Sequence, residues 1–248
     1  MGLGRDTRFT WYGHACVEVR TPGGKTVLID PWFGNPKSPK AADAVDRCDV
    51  LLVTHGHFDH LGDALSIARR TRPSWPAIHE LSLWLGKNLG DGAERVIGMN
   101  KGGTVAVDGL RVTMTHAVHS AGDVAAGSTP LGSDVPLYLG EPAGFVVEVE
   151  NGFRFYHAGD TTAFGEMRFI GELLRPDLAI LPIGDHFTMG PREAALAVEL
   201  LGVRHVLPIH YGTFPILVGT PDELRAELAA RGLGDVTVHA LEPGGTLD

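Results

Sequence analysis

Short apolar blocks, punctuated by turn residues, set the rhythm of the first third of the chain. Phe9 to Val19 reads as a strand, with Cys16-Val17-Glu18-Val19 alternating, and Pro22-Gly23-Gly24-Lys25 turns it into a return strand, Thr26 to Asp30. Pro31 to Lys40 holds prolines at 31, 36 and 39 with Gly34 and Asn35, and is predicted to be a loop. Val50-Leu51-Leu52-Val53 is an unbroken apolar run of strand length and predicts a buried strand. The period then changes: Asp63 to Arg70 and Glu80 to Leu89 carry helical spacing, and Thr104 to Val107 with Arg111 to Thr115 form a hairpin around Asp108-Gly109.

The opening design returns in the second half. Phe145 to Glu150 and Phe153 to His157 flank Asn151-Gly152, a type I′ turn signal. Leu178 to Leu181 predicts another buried strand, and Arg192 to Leu201 an amphipathic helix begun by Pro191. Val203 to Pro208 is a strand leading into His210, and Pro221 to Ala230 a helix with Asp222 and Glu223 in its first turn. Residues 121–143 are poor in pattern and rich in Gly, Pro and Ser, which predicts a functional lid or a flexible segment. The echoed hairpins predict an α/β protein of two similar β-rich halves flanked by helices. No linker divides them, so residues 1–248 read as a single domain.

Composition narrows the partners. Hydrophobic content of 44% and charged content of 21% suit a globular chain able to bury a sizeable core. A formal net charge of −9 argues against a nucleic-acid backbone as partner and leaves a small-molecule substrate. Cys16 and Cys48 are too few for a disulfide framework and read as small buried thiols. The amino terminus lacks an apolar leader and no window approaches 18 apolar residues, so a cytoplasmic location without membrane contact is expected. The oligomeric state is left open.

The chemistry concentrates in Thr54-His55-Gly56-His57-Phe58-Asp59-His60-Leu61-Gly62-Asp63. Three imidazoles and a carboxylate fall within six residues, between a buried strand and a predicted helix start, where α/β sheets place their sites. His55 and His57 share a face if the backbone is extended, while Asp59 and His60 aim at a second point as the chain turns. Neutral imidazoles mixed with carboxylates suit zinc and similar divalent ions. Such a pair of sites needs more donors than one loop carries. Asp160, after a strand and Ala158-Gly159, is placed either to bridge two ions or to cap a turn. His210 ends a strand, and His119 is better placed than His116 to reach outward. His79, His205 and His239 read as structural or solvent-facing.

His55-x-His57-x-Asp59-His60, His119, Gly159-Asp160 and His210 together resemble the ordered motifs of the metallo-β-lactamase superfamily. The closer resemblance is to its subgroup of metal-dependent hydrolases related to L-ascorbate-6-phosphate lactonase. It is carried by Trp11-Tyr12-Gly13-His14-Ala15, Leu28-Ile29-Asp30-Pro31, Thr54 to Asp63, Tyr156 to Thr161, Leu181 to Asp185, Phe187 to Pro191 and Pro208 to Tyr211. The resemblance implies a four-layer αβ/βα sandwich with the site along one edge of two packed sheets. His55, His57 and His119 would hold one ion, Asp59, His60 and His210 a second, with Asp160 between them. The expected ions are two divalent cations, zinc ahead of Mn, Fe or Ni. The implied reaction is hydrolysis of a small-molecule ester, lactone or phosphodiester by a water that the ion pair activates, with Asp59 orienting it. His14, His157 and Asp185 are candidates for orientation or proton delivery, and His186 and Thr188 for substrate contact. His186 departs from the small amide expected in close relatives. Two other classes stand beside hydrolysis: a di-iron redox protein, whose relatives carry a carboxylate where this chain has His57, and a non-catalytic scaffold.

Overall fold

The computed structural model describes Gly4, residues 6–123 and residues 137–248, with the backbone alone at Asp123. Residues 124–136, the heart of the predicted lid segment, lie outside the described residues. Two mixed sheets dominate. The first contains β1 (Arg8–Trp11), β2 (Val17–Arg20), β3 (Thr26–Ile29) and β4 (Val50–Leu52). The chain then forms one helical turn, α1 (Phe58–Leu61), and α2 (Ala64–Thr71). A parallel pair follows, β5 (Trp75–Ile78) and β6 (Val96–Met99), with α3 (His79–Asn88) between its strands. Leu51 N–H donates to Ser74 O at 3.0 Å, which joins this pair to the edge of the first sheet at β4.

The second sheet takes β7 (Thr104–Val107), β8 (Leu110–His116), β11 (Ala143–Glu148), β12 (Arg154–His157), β13 (Leu178–Pro182), β14 (His205–Ile209) and β15 (Thr237–Val238). Its order is β15-β14-β13-β12-β11-β8-β7, antiparallel on the β7 side and parallel from β12 onward. A small pair, β9 (Gly122–Asp123) with β10 (Leu137–Tyr138), stands apart. The last strand, β16 (Thr246–Leu247), returns to β1 and closes the edge of the first sheet. On the second sheet's outer side lie α4 (Met167–Phe169) running into a π-helical turn (Ile170–Leu174), α5 (Pro191–Leu201) and α6 (Pro221–Ala230).

Strand alternation explains the layering. In the second sheet, Phe145, Val147, Phe155, Ile180, Leu207 and Ile209 join the core shared with the first sheet. Their neighbours Val146, Tyr156, Ala179, Leu181 and Val206 face the helical layer with Ala194, Val198 and Leu224. Phe9 of β1 meets Phe155 of β12 edge-on, ring centres 5.1 Å apart at 88°, the geometry a ring quadrupole favours. The result is the four-layer αβ/βα sandwich.

Several expectations are corrected in detail. The strand expected from Phe9 to Val19 is two strands, because Gly13 (φ +91°) and His14 (φ +50°) throw the chain into a tight turn closed by Cys16 N–H to Gly13 O. The turn at Asn151-Gly152 is not type I′: only Gly152 (φ +83°) has positive φ, and Gly152 N–H donates to Val149 O, leaving a three-residue loop with a glycine bulge. The first hairpin repeats that turn, with Gly24 at φ +74° donating to Thr21 O. The echo between the halves therefore extends to the turn geometry. The pair β5–β6 escaped the pattern, since Pro76 and Gly98 interrupt both strands.

Candidate metal centre

The parallel strands of both sheets deliver their loops to one edge. After β4, the chain runs extended through His57 (φ −65°, ψ 149°) and then makes the single turn α1. That change of direction lets His57 and the pair Asp59 and His60 face different points from adjacent positions. His119 follows β8, Asp160 follows β12, and His210 (φ +56°) ends β14. Gly159 (φ +64°) lets Asp160 approach: a Cβ there would stand 2.7 Å from Thr54 Cβ and 2.9 Å from Ala143 O.

The expected donors converge in three overlapping groups, each with donor atoms within 4.8 Å of one another: His55, His57 and His119; His14, Asp59, His60 and His210; and His55, His60 and Asp160. Asp160 Oδ2 lies 3.3 Å from His60 Nε2, 3.1 Å from His210 Nε2 and 3.6 Å from His119 Nε2, so it stands between the first two groups. The grouping matches the one implied by the sequence, with His14 added.

Asp30, which sequence reasoning quoted without a role, ties both groups together. It is fully buried at φ +47°, a conformation sustained by its bonding. Its Oδ1 accepts the Thr54 backbone N–H at 2.7 Å, and its Oδ2 accepts the Thr54 hydroxyl at 2.7 Å and His60 Nδ1–H at 2.8 Å. Because the Thr54 hydroxyl gives its one proton to Asp30, its oxygen accepts from His55 Nδ1–H at 3.0 Å. One carboxylate thus orients two imidazoles, one in each group, holding the Nδ1–H of each and turning its Nε2 toward the centre.

The inward-facing donor atoms test whether the residues fit a metal. His55 Nε2 and His57 Nδ1 share a hydrogen bond at 2.9 Å. His60 Nε2, His210 Nε2 and Asp160 Oδ1 are buried without a hydrogen-bond partner. Unpaired buried acceptors turned on one another are costly unless a proton or a cation sits among them. A set of nitrogen donors with few carboxylates is the composition that zinc-like ions take. The residues fit.

Burial opposes charge on Asp160, yet the imidazoles of His210 and His60 hold its carboxyl well below the usual range. Burial also opposes charge on His60, but Asp160 and Asp30 on either side hold it well above the usual histidine range. His55 is driven well below that range by burial and by His60. Burial and the neighbouring His210 push His14 down to about 4, although its Nε2–H donates to Asp59 Oδ2 at 3.0 Å.

The beta-lactamase superfamily domain matches residues 25–211. The chain belongs to the metallo-β-lactamase superfamily. It is 50% identical over 241 residues to a UPF0173 metal-dependent hydrolase of Rubrobacter xylanophilus, covering 96% of this chain and 95% of that one. A UPF0173 metal-dependent hydrolase of Roseiflexus castenholzii is 47% identical over 246 residues, covering 98% and 97%. The solved structure of a novel metallo hydrolase from Ignicoccus hospitalis superposes with a TM-score of 0.83 at 36% identity, covering 97% of both chains. The chain is accordingly an enzyme, a metal-dependent hydrolase of the metallo-β-lactamase fold.

Above the donors the hydrolase opens into a cavity of about 720 Å³ lined by His57, Phe58, Asp59, His119, Ser120, Gly122, Asp160, Phe187, His210 and Phe214. His14 is buried beneath it, and its carbonyl accepts the His210 backbone N–H at 2.8 Å and Trp11 Nε1–H at 2.9 Å. His157 is also fully buried, with Nδ1 accepting Gly159 N–H at 3.2 Å, and does not line the cavity. Asp185 (φ +66°) is exposed beside Pro191 and Arg192, and its Oδ1 accepts His186 N–H at 2.7 Å. His186 packs against Phe187, and the Thr188 hydroxyl donates to Met189 O at 3.4 Å. From this turn the residue lining the cavity is Phe187, which sequence reasoning passed over between its two neighbours. His116 ends β8 and meets Lys101 Nζ at 3.1 Å, away from the centre. His205 and His239 pair with each other. Among the described residues, no helix is long and apolar enough to cross a membrane.

Proposed function

We propose that the chain, acting as one domain over residues 1–248, hydrolyses a small-molecule ester, lactone or phosphodiester at a centre for two divalent cations, zinc first among them. His55, His57 and His119 would hold one cation, Asp59, His60 and His210 the other, with Asp160 shared. The observation carrying this reading is Asp160 Oδ2, within 3.6 Å of imidazole nitrogens from both groups, beside His55 and His60, whose Nε2 atoms the Asp30–Thr54 network turns toward it. When bound, such a pair supplies Lewis acidity that lowers the pKa of water and polarises the substrate oxygen.

The chain's own groups do the rest. His14 Nε2–H holds Asp59 Oδ2, which keeps the carboxylate ionised and turned toward the cavity. Asp59 is then positioned to take a proton from the attacking water and return it to the departing oxygen. In an ester, the new bond joins the water oxygen to the carbonyl carbon. The carbon–alkoxy bond breaks, and the leaving alcohol carries the proton away. Nitrogen-rich donors, His57 included, favour this over di-iron redox chemistry.

His57→Ala and Asp160→Ala are the test. Each is expected to lose bound metal, measured by elemental analysis, together with turnover of lactone, aryl ester and bis(p-nitrophenyl) phosphate probes. Normal metal content and turnover in either variant would refute the assignment.

A further inference from the structure

Three phenyl rings line the cavity, and among the described residues no Lys or Arg joins them. Phe58 and Phe187 stand 46% and 54% exposed at the cavity, an unusual place for phenyl rings, and Phe214 faces them. Trp32 backs two of the three, its ring centre 5.5 Å from Phe58 and 6.0 Å from Phe214, so this wall is packed from behind. None of the described lining residues is Lys or Arg. The chain itself extends the point. Residues 48–68, 112–153, 155–167, 177–191 and 205–224, which supply every described lining residue, contain no Lys or Arg. Residues 124–136, within the second of these stretches, likewise contain no Lys or Arg.

Recognition of a phosphate or carboxylate commonly uses Arg or Lys donors, and none lines the cavity among the described residues. Cations held by the imidazoles would be committed to the reacting bond, and an anionic group further out on the substrate would meet phenyl rings. Burying it there would strip its water and return nothing. An aryl or alkyl group in the same place gains from leaving water and from ring packing. The cavity of about 720 Å³ is within the roughly 300–1,000 Å³ that encloses a drug-sized molecule.

We propose that the cleft selects carboxylic esters or lactones whose non-reacting part is uncharged and apolar, and discriminates against substrates bearing a phosphate or carboxylate there. The inference rests on the hydrolytic reading above, and narrows it.

The test uses matched pairs with the metal-loaded protein. 4-Nitrophenyl hexanoate and the 4-nitrophenyl monoester of adipic acid have acyl chains of equal length and differ by a terminal carboxylate. The hexanoate is expected to exceed its partner in kcat/KM by about thirtyfold or more, and Phe187→Ala to raise its KM by roughly tenfold, the loss of one phenyl contact. Since Phe187 is half exposed, its truncation does not threaten the fold. Binding is read separately, by quenching of the protein's tryptophan emission, to which Trp32 behind the cavity wall contributes, with hexanophenone and with 6-oxo-6-phenylhexanoate, which cannot be hydrolysed. Tighter binding of the neutral ketone, weakened in Phe187→Ala, supports the inference even if no ester is cleaved, an outcome that refutes the hydrolytic reading alone. Equal or better binding and turnover of the carboxylated partners overturns the inference and leaves the hydrolase standing.

Discussion

Replacing Asp30 by Asn isolates the role of one buried carboxylate without changing its shape. In the native chain Asp30 accepts three hydrogen bonds, from Thr54 N–H, the Thr54 hydroxyl and His60 Nδ1–H. In Asp30→Asn the amide oxygen can still accept the Thr54 N–H, but the amide NH₂ now faces two donors. The conflict resolves only by reversing them: His60 Nδ1 becomes an acceptor, its proton moves to Nε2, and the Thr54 hydroxyl turns away. Through Thr54, His55 loses the acceptor that fixed its own Nδ1–H. Loss of such support costs a metal site about 10- to 100-fold in affinity, or ~1.4–2.7 kcal/mol. Exchanging charge-assisted bonds in the buried network for neutral or opposed ones costs the metal-free fold about 2–4 kcal/mol. Competition with a fluorescent zinc chelator measures the first quantity and urea unfolding in EDTA the second. Native zinc affinity in a folded Asp30→Asn protein would refute the tautomer argument. Asp30→Glu, a carboxylate one methylene too long, is expected to fail in the same direction, which separates geometry from charge.

Three further outcomes follow from other parts of the molecule. Asp160 and Asp30 raise the pKa of His60 against the effect of burial, so a cation binding at its Nε2 competes with a proton, and zinc affinity is expected to rise with pH. A flat profile in calorimetric titrations would show that no proton leaves. Gly159→Ala puts a Cβ 2.7 Å from Thr54 Cβ at φ +64°, and is expected to lower stability by ~1–3 kcal/mol in urea melts and to reduce metal content with it. A native melt would show that the loop yields freely. Cys16 and Cys48 are buried, and burial pushes both thiols up. A chromogenic disulfide reagent at pH 8 should therefore label neither in the folded protein and both in guanidinium. Fast labelling of either thiol would contradict the packing around it.

The expected donors could be singled out because their chemistry is compressed. Imidazoles at 55, 57 and 60 with a carboxylate at 59 leave few other readings for a loop after a buried strand. His119, Asp160 and His210 could be chosen because each follows a strand. What stayed hidden is what acts across distance. Asp30 lies 24 residues from Thr54 and 30 from His60, and no spacing announces that β3 and β4 set it between them. The cavity wall was equally silent: Phe58, Phe187 and Phe214 read as ordinary apolar residues until the fold exposes them together. Local reading also failed where the backbone departs from regular values. His14 at φ +50° breaks an apparently continuous strand, and Pro76 and Gly98 disguise two short ones. Asp185, His186 and Thr188 were chosen from a turn whose intervening Phe187 is the one that reaches the cavity.

The seven expected donors divide between the two sheets, four on the loop after β4 and three on loops from β8, β12 and β14. His14, from the turn between β1 and β2, already reaches across to hold the His210 backbone. Any ion lodged among them acts as a rivet through both halves, and neither half can retain it alone. Loading and folding then become one equilibrium. Free cation at a thousand times its Kd would add about 4 kcal/mol to the folded state, so a cell starved of metal would hold a looser protein as well as an idle one.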